Sequence, residues 1–514
     1  MKSWHYLLIF LSLIPIILLR DFTPDNELRY ISIVNEAITN GNFFHFTNHG
    51  NIYADKPPLY FWIIMLGKWL LGEHQVWFLS LFSILPAFII LYLMNKWTKD
   101  EMDDRYRTVT SLMLMTSTFF LGGTLVLRMD MLMSMFILLA LYTFYRMYKK
   151  TANKYDGWLF PFYIFMAVFT KGPMGILIPL FSTIVFLILK KEFRTIGKYW
   201  GWKTCGFLAV TFGSWFLLVW LEGGNAYLND LLFNQTVNRA IDSFHHEKPF
   251  YYYIITVWYS LAPWSLLFFA VILTGMCRKM IKTDLEVFFA TVILVTFVML
   301  SVISSKIEIY MLPVFPFIAY LTGILLYKIK WSKWATLAIT IPSVVLTIAP
   351  LLLNKIPMDN FVQIENTSIV YAVPILLTIS GIAALYFLYG RKDKYKSIYI
   401  LSFSILIALF ILGLAIPSFN NEIGYRELCM KGIELKKKES GAQYYMYKIR
   451  RGENMDVYLH EQVVPVSVDD IVSSKYAGSV LFINNKWIEK DNRLNSFLRN
   501  KQRIKVGKNS AIKL

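Results

Sequence analysis

Long apolar runs recur along most of this chain, each close to the ~20 residues that a helix needs to cross a hydrocarbon core. They fall at roughly 4–20, 76–95, 108–127, 130–147, 157–170, 174–190, 204–221, 253–276, 284–303, 307–327, 332–353, 368–389 and 397–416. Inside lipid, every backbone N–H and C=O must find its partner within the segment, so such runs fold as helices. About thirteen of them predict an all-α polytopic membrane protein. Composition agrees: 56% hydrophobic and 17% aromatic over 514 residues is too apolar for a soluble protein of this length.

The formal charge of +18 admits a nucleic-acid partner, but its placement excludes one. Lys and Arg gather in alternate short connections: Lys96 to Arg107, Arg146 to Lys154, Lys190 to Lys203, Arg278 to Lys282, Lys328 to Lys333 and Arg391 to Lys396. This alternation is the positive-inside pattern, which predicts a cytoplasmic N-terminus and an outer tail. The first segment is followed by "LLRDFTPDN", which lacks a small-residue cleavage pattern, so it does not read as a cleaved signal. Cys205, Cys277 and Cys429 lack C-x-x-C spacing and suggest neither disulfides nor zinc.

Two outer connections are long, 21–75 and 222–252. In the first, Thr23-Pro24 predicts a helix start and Asn40-Gly41 a stop, with an apolar stripe between them. "KPPLYFWIIMLGKWLLG" is apolar but too short to span comfortably, and predicts a helix lying in the interface. After residue 416 the character changes. "AQYYMYKI", "VVPVSV" and "SVLFIN" predict strands; "YRELCMKGIELKKKES" and "EKDNRLNSFLRN" predict helices. The expected organisation is a membrane domain over 1–416 and a small extracytoplasmic α/β domain over 417–514.

Ionisable residues at membrane depth are costly and default to functional candidates. They cluster in "DNELRY" (25–30), "YADKPPLYFW" (53–62), "RMDMLM" (128–133), "FTKGPMG" (169–175), "NQTVNRAIDSFHHEKPFYYY" (234–253) and "SSKIEIYMLPVFP" (304–316). All map to the outer side in the predicted topology. Each has a plainer reading: Asp25 and Glu27 as helix-dipole charges, Lys56 as an interface anchor, Arg128 and Asp130 as an ion pair. His45, His49, His245 and His246 read as polar loop residues rather than metal ligands. Together, the carboxylates offer a general base for an attacking hydroxyl, and the Lys, Arg and Tyr groups offer donors to a phosphate. A phosphate at the membrane surface with a chain in the bilayer is a lipid phosphate. No G-x-x-x-x-G-K-[ST] loop is present.

The ordered set Asn26-Glu27-x-Arg29-Tyr30, Asp55-Lys56-Pro57, Arg128-x-Asp130, Lys171-Gly172-Pro173, Asn238-Arg239, Pro263-Trp264 and Ser305-Lys306…Tyr310-x-x-Pro313 resembles the GT-C integral-membrane glycosyltransferases. Within them it is most similar to the bacterial lipid A aminoarabinose transferases, relatives of the protein O-mannosyltransferases. The resemblance runs over about residues 5–320. It implies transfer of a sugar from a polyprenyl-phosphate donor to a lipid, glycan or protein acceptor, outside the bacterial cytoplasmic membrane. It implies Lys56, Lys171, Arg239 and Tyr310 as donor-phosphate residues, and Asp25, Glu27 and Asp130 as catalytic acids. Arg29, Asp55, Arg128 and Lys306 are further site candidates. It singles out no cofactor, a divalent metal stays open, and a monomer is expected. One departure stands out. The family's leading aspartate falls on Asn26, which cannot act as a base, so Asp25 is expected to substitute.

Two alternatives remain. A lipid-linked-sugar flippase would place charge near the bilayer midplane and show two related halves. A transferase of a phospho-group or a whole glycan would use the same lipid-phosphate site.

Overall fold

The computed structural model describes residues 1–233, 248–329, 332–353, 367–436 and 442–514. Each apolar run falls on a helix or a bent helix pair. The first nine helices are α1 (Ser3–Leu19), α2 (Glu27–Asn40), α3 (Leu59–Leu71), α4 (Val76–Trp97), α5 (Asp104–Met115), α6 (Thr118–Leu125), α7 (Asp130–Tyr148), α8 (Asp156–Lys171) and α9 (Met174–Leu189). Among the described residues, seven helices are long and apolar enough to cross a membrane. The number rises to nine if two bent pairs each form one span. Ser3–Leu19, Met174–Leu189 and Lys333–Ile348 are apolar but shorter.

The bends have local causes. α5 and α6 meet at 68° where Thr116 and Ser117 turn their hydroxyls back onto the carbonyls of Leu112 and Met113. Tyr252–Ser260 and Ser265–Cys277 meet at 118° around Pro263, which has no N–H for a helix ladder. Beside it, Trp264 is fully buried and donates from Nε1 to Thr116 Oγ1 at 2.8 Å. The Pro-Trp pair therefore ties two bends together.

In the first long connection, Gly41 ends α2 in the left-handed region at φ 73°, as the Asn-Gly signal predicts. The start differs from expectation. Residues 24–26 form a turn and the helix begins at Glu27, because the Glu27 carboxylate reaches back to accept the Thr23 N–H at 2.8 Å. A two-strand hairpin, β1 (Thr47–Asn48) and β2 (Asn51–Ile52), precedes α3. At 13 residues α3 is about 20 Å long, well short of a ~30 Å hydrocarbon core.

The C-terminal sheet has the order β4-β3-β5-β7-β6, from β3 (Tyr444–Tyr447), β4 (Val463–Pro465), β5 (Val480–Asn484), β6 (Arg503–Val506) and β7 (Asn509–Lys513). β3 runs parallel to β4 and β5, while β7 is antiparallel to β5 and β6. The helix Arg426–Lys436 packs on one face through Leu428, Cys429 and Leu435. This unit is not a pendant. Its core is continuous with Phe22, Leu28, Tyr30, Phe46 and Phe61 of the first long connection. Asp21 fastens the seam: it accepts the Arg426 backbone N–H at 2.9 Å and the Tyr458 hydroxyl at 2.5 Å.

Candidate active site

The site begins where α7 and α8 pack side by side. Asp130 opens α7 and Lys171 closes α8, so the carboxylate sits at a helix N-terminus and the ammonium at a C-terminus. Each charge is on the end its helix dipole favours, and the antiparallel packing brings them into direct contact as an ion pair. Asp130 is 1% exposed and also accepts from Arg128 Nε at 2.9 Å. It is thus held between two cations. Outside the helix, Arg128 has its guanidinium pKa raised, chiefly by Asp130, so it stays charged.

The Lys-Gly-Pro-x-Gly run around Lys171 is explained by backbone geometry. Gly172 adopts φ 113°, ψ −155°, a conformation essentially reserved for glycine. Gly175 lies so close to α8 that an added Cβ would be 2.4 Å from the Val168 backbone nitrogen. The two glycines let α9 fold back tightly while Lys171 keeps its head in the site.

That head faces a cavity of about 490 Å³. Its polar part is formed by Asp55, Lys56, Lys171, Ser305 and Tyr310. The Lys171 ammonium stands 4.7 Å from the centre of the Tyr310 ring, and Lys56 pairs with Asp55 at 3.1 Å. The remaining wall is apolar, with Val168, Ile176, Phe212, Trp215 and Leu300 from four helices among its members. Behind Asp55, the Tyr53 hydroxyl approaches its carboxylate at 3.3 Å, and the Arg29 guanidinium lies 5.8 Å from the Tyr53 ring. Burial alone lowers the Arg29 pKa, but Tyr53, Tyr30 and Asp55 outweigh it and raise the value.

The sequence candidates therefore divide. Lys56, Lys171, Tyr310 and Asp55 share one cavity; Asp130 and Arg128 hold Lys171; Arg29 backs the Tyr53–Asp55 pair. Glu27 is elsewhere. Its carboxylate accepts from Arg20 Nη1 and Nη2 at 2.7 and 2.9 Å and from the backbone of Thr23 and Leu127 at 2.8 and 2.9 Å. These four bonds fill a carboxylate's acceptor capacity, and the group braces the fold. Asp25 points to the C-terminal unit, pairing with Arg450 Nε at 2.9 Å with its side chain 44% exposed. Asn26 accepts from Arg29 Nη2 at 2.8 Å. Lys306 is buried and donates to the Lys248 carbonyl at 2.9 Å. Arg239, Asn238, His245 and His246 lie outside the described residues. His45 packs edge-on against Tyr227 and His49 lies 3.4 Å from Asn454 Oδ1. No group of three metal-ligating side chains occurs among the described residues.

Some residues that line or support the cavity gave no sequence signal. Phe212 and Trp215 sit in an apolar run, where lipid-facing and cavity-facing residues look alike. Glu222 accepts the backbone N–H groups of Phe43, Phe44 and His45, pinning the loop ahead of α3. Its isolation at the end of an apolar run was the available clue.

The sequence model of the dolichyl-phosphate-mannose-protein mannosyltransferase family matches residues 55–220. An uncharacterized protein of Aquifex aeolicus is 26% identical over 67% of this chain and 69% of its own length. The undecaprenyl phosphate-alpha-4-amino-4-deoxy-L-arabinose arabinosyl transferase 1 of Proteus mirabilis is 26% identical over 57% of this chain and 53% of its own. The match thus spans about half the length of that named transferase. Among solved structures, ArnT from Cupriavidus metallidurans bound to undecaprenyl phosphate superposes with a TM-score of 0.74. It is 15% identical and covers 99% of this chain and 98% of its own. The chain has the GT-C fold of ArnT.

Proposed function

We propose that this chain transfers a sugar from a polyprenyl-phosphate donor to an acceptor hydroxyl on a lipid, glycan or protein. The observation that carries this reading is the cavity itself, where two lysines and a tyrosine meet at one end of an apolar wall built by membrane helices. Lys56 and Lys171 neutralise the donor phosphate, Tyr310 and Ser305 offer hydroxyls to it, and the apolar wall takes the first part of the polyprenyl chain. Asp55 is the carboxylate among the cavity's described lining and serves as the base. In the step, the acceptor oxygen bonds to the anomeric carbon as its proton passes to Asp55. The bond from that carbon to the phosphate oxygen breaks, and polyprenyl phosphate leaves with the electron pair. The two lysines stabilise the charge that this oxygen gains.

Asp130 has a different part. Removing one partner of a buried, hydrogen-bonded ion pair costs about 3–5 kcal/mol, so its charge is best kept on Lys171 and Arg128. The Lys/Arg alternation supports a site on the outer face of a bacterial inner membrane. Charges gathered around one cavity, rather than through two related halves, favour transfer over flipping.

The test is reconstitution of the full chain in vesicles with undecaprenyl-phosphate-linked aminoarabinose and a cell-envelope lipid extract. Release of undecaprenyl phosphate with glycosylation of an extract component is expected. Lys171→Ala should lower the rate about 10²–10³-fold, the usual cost of losing one charge-stabilising donor, while the protein still inserts. Absence of release with pentosyl and hexosyl donors alike overturns the reading.

A further inference from the structure

A second groove lies towards the other end of the helices that build the donor cavity. Leu300 of the helix Asp284–Val302 lines that cavity, and the start of the same helix is about 24 Å away at 1.5 Å per residue. The groove, a cavity of about 470 Å³, opens between the helices Ser265–Cys277 and Lys333–Leu353. Arg278 and Trp334 stand at its mouth, and Leu266, Phe269 and Leu273 carry it inward. From Arg278 to Leu266 it follows the first helix for about 18 Å. One leaflet of a ~30 Å hydrocarbon core is about 15 Å deep, so the groove has the length of a single leaflet.

Its two ends differ in chemistry. Along its length the wall is apolar, and Phe269 and Leu273 are exposed. The Thr274 hydroxyl, which also lines it, already donates to the Ala270 carbonyl at 2.6 Å. At the mouth the character is cationic. Arg278 is joined there by Lys279 and Lys282 in the connection that follows and by Lys333 beside Trp334, all four exposed. The acids of the adjoining helix start are committed elsewhere: Asp284 pairs with Lys149 and Lys190, and Glu286 with Lys328. None of the four mouth cations forms an ion pair among the described residues. Trp334 is itself exposed at this level, the depth at which interfacial tryptophans sit. A cationic mouth on an apolar groove one leaflet deep is the complement of a lipid with an anionic headgroup.

We propose that this groove holds one anionic phospholipid of the leaflet opposite the donor cavity, phosphatidylglycerol in chemical class. One acyl chain lies along the wall from Cys277 to Leu266, and the phosphate meets Arg278. Lys279, Lys282 and Lys333 favour a headgroup whose net charge stays negative. A zwitterionic headgroup brings a cation of its own to this cluster and loses that attraction. The Lys/Arg alternation makes this leaflet the cytoplasmic one. The proposal stands independently of the transferase reading, since the groove and the donor cavity share no lining residue.

The full chain, purified in detergent and stripped of lipid, is titrated by native mass spectrometry with phosphatidylglycerol and phosphatidylcholine. Glycerol 1-phosphate is added as a headgroup without chains. Phosphatidylglycerol should bind about tenfold tighter than phosphatidylcholine, the effect of one or two cations near an anionic headgroup. Arg278→Gln should weaken phosphatidylglycerol about tenfold, the loss of one charge-assisted hydrogen bond. Ala270→Phe, which fills the groove midway, should weaken both lipids. Thermal melting checks that both variants are folded; if Ala270→Phe is not, Arg278→Gln and the lipid preference of the unaltered chain decide. Equal affinity for the two lipids overturns the proposal, as does an unaltered affinity in Arg278→Gln or in folded Ala270→Phe. Weaker binding in Lys171→Ala but not in Arg278→Gln overturns it too, placing the lipid in the donor cavity. So does glycerol 1-phosphate binding as tightly as phosphatidylglycerol, because the apolar groove would then play no part.

Discussion

Glu27 and Asp130 are both buried carboxylates gripped by an arginine, yet they serve different kinds of site. Glu27 spends its four acceptor positions on Arg20 and two backbone N–H groups, and all of its bonds close on the fold. Asp130 spends part of its capacity on Lys171, whose ammonium reaches the cavity. Burial and pairing alone do not mark an acid as functional. What distinguishes the two is whether a partner carries the charge onward to a space that a substrate can occupy. Asp55 stands at the far end of that series, with its carboxylate in the cavity lining itself.

The comparison breaks first at Asp55. Asp55→Asn retains size and a hydrogen-bonding oxygen but removes the base, so turnover should fall about 10²–10⁴-fold with donor binding preserved. Vesicle assays of rate and of undecaprenyl phosphate binding separate the two. A rate within about threefold of the unaltered chain would leave the proton with another group.

Glu27→Gln tests the other side. An amide cannot accept all four bonds, and Arg20 loses its counter-charge, so stability should drop by about 3–5 kcal/mol. Thermal melting should show this, while activity per folded molecule at low temperature is retained.

How far these roles can be read from the sequence follows from the same contrast. Lys56, Lys171 and Tyr310 are legible because a charge or phenol beside a membrane run needs a reason to be there. Glu27 is not legible as a brace, because one of its partners, the Leu127 N–H, is 100 residues away and only tertiary packing supplies it. Asp25 and Glu27 carry the same first-turn signal and part company only in space. The helical runs are plain from hydropathy. Which of them cross fully is not, since α9 and α1 differ from α4 mainly in length and bends depend on hydroxyls at single positions. In the tail, β3, β4 and β5 declare themselves by apolar, β-branched or aromatic runs. β6 and β7, "RIKV" and "NSAIK", do not, being short and rich in polar residues around a tight turn at Gly507.

A smaller effect is set by His74, whose pKa is lowered to about 4 by burial and then by Lys68. Above its ordinary value near 6.5 it is neutral whether folded or unfolded, and contributes nothing. As pH falls from 6.5 towards 4, the unfolded chain takes up a proton that the folded chain refuses. Stability is therefore lost with acidification across that window, by up to about 3 kcal/mol at its lower end. Melting curves from pH 7 to pH 4 should show a shallower decline for His74→Asn than for the unaltered chain.

The smallest effect belongs to Asp25, and it sharpens the assignment of the base. Its pair with Arg450 is exposed on both sides, at 44% and 81%, and such pairs contribute at most about 1 kcal/mol. Asp25→Asn should accordingly leave turnover within about twofold and stability within about 1 kcal/mol. The outcome matters more than its size. Asp25 is adjacent to Asn26, the position where the sequence resemblance leads one to expect an aspartate, and the sequence alone gives it the proton. The geometry gives it a surface contact with the C-terminal unit and gives the cavity to Asp55. A fall of about a hundredfold in Asp25→Asn, with Asp55→Asn little affected, would reverse that order. It would mean that the turn at residues 24–26 rearranges when an acceptor arrives, carrying the Asp25 carboxylate away from Arg450 and into the site. Near-normal turnover in Asp25→Asn, with Asp55→Asn inactive, places the base on the loop between β2 and α3, one residue before the lysine that meets the leaving phosphate.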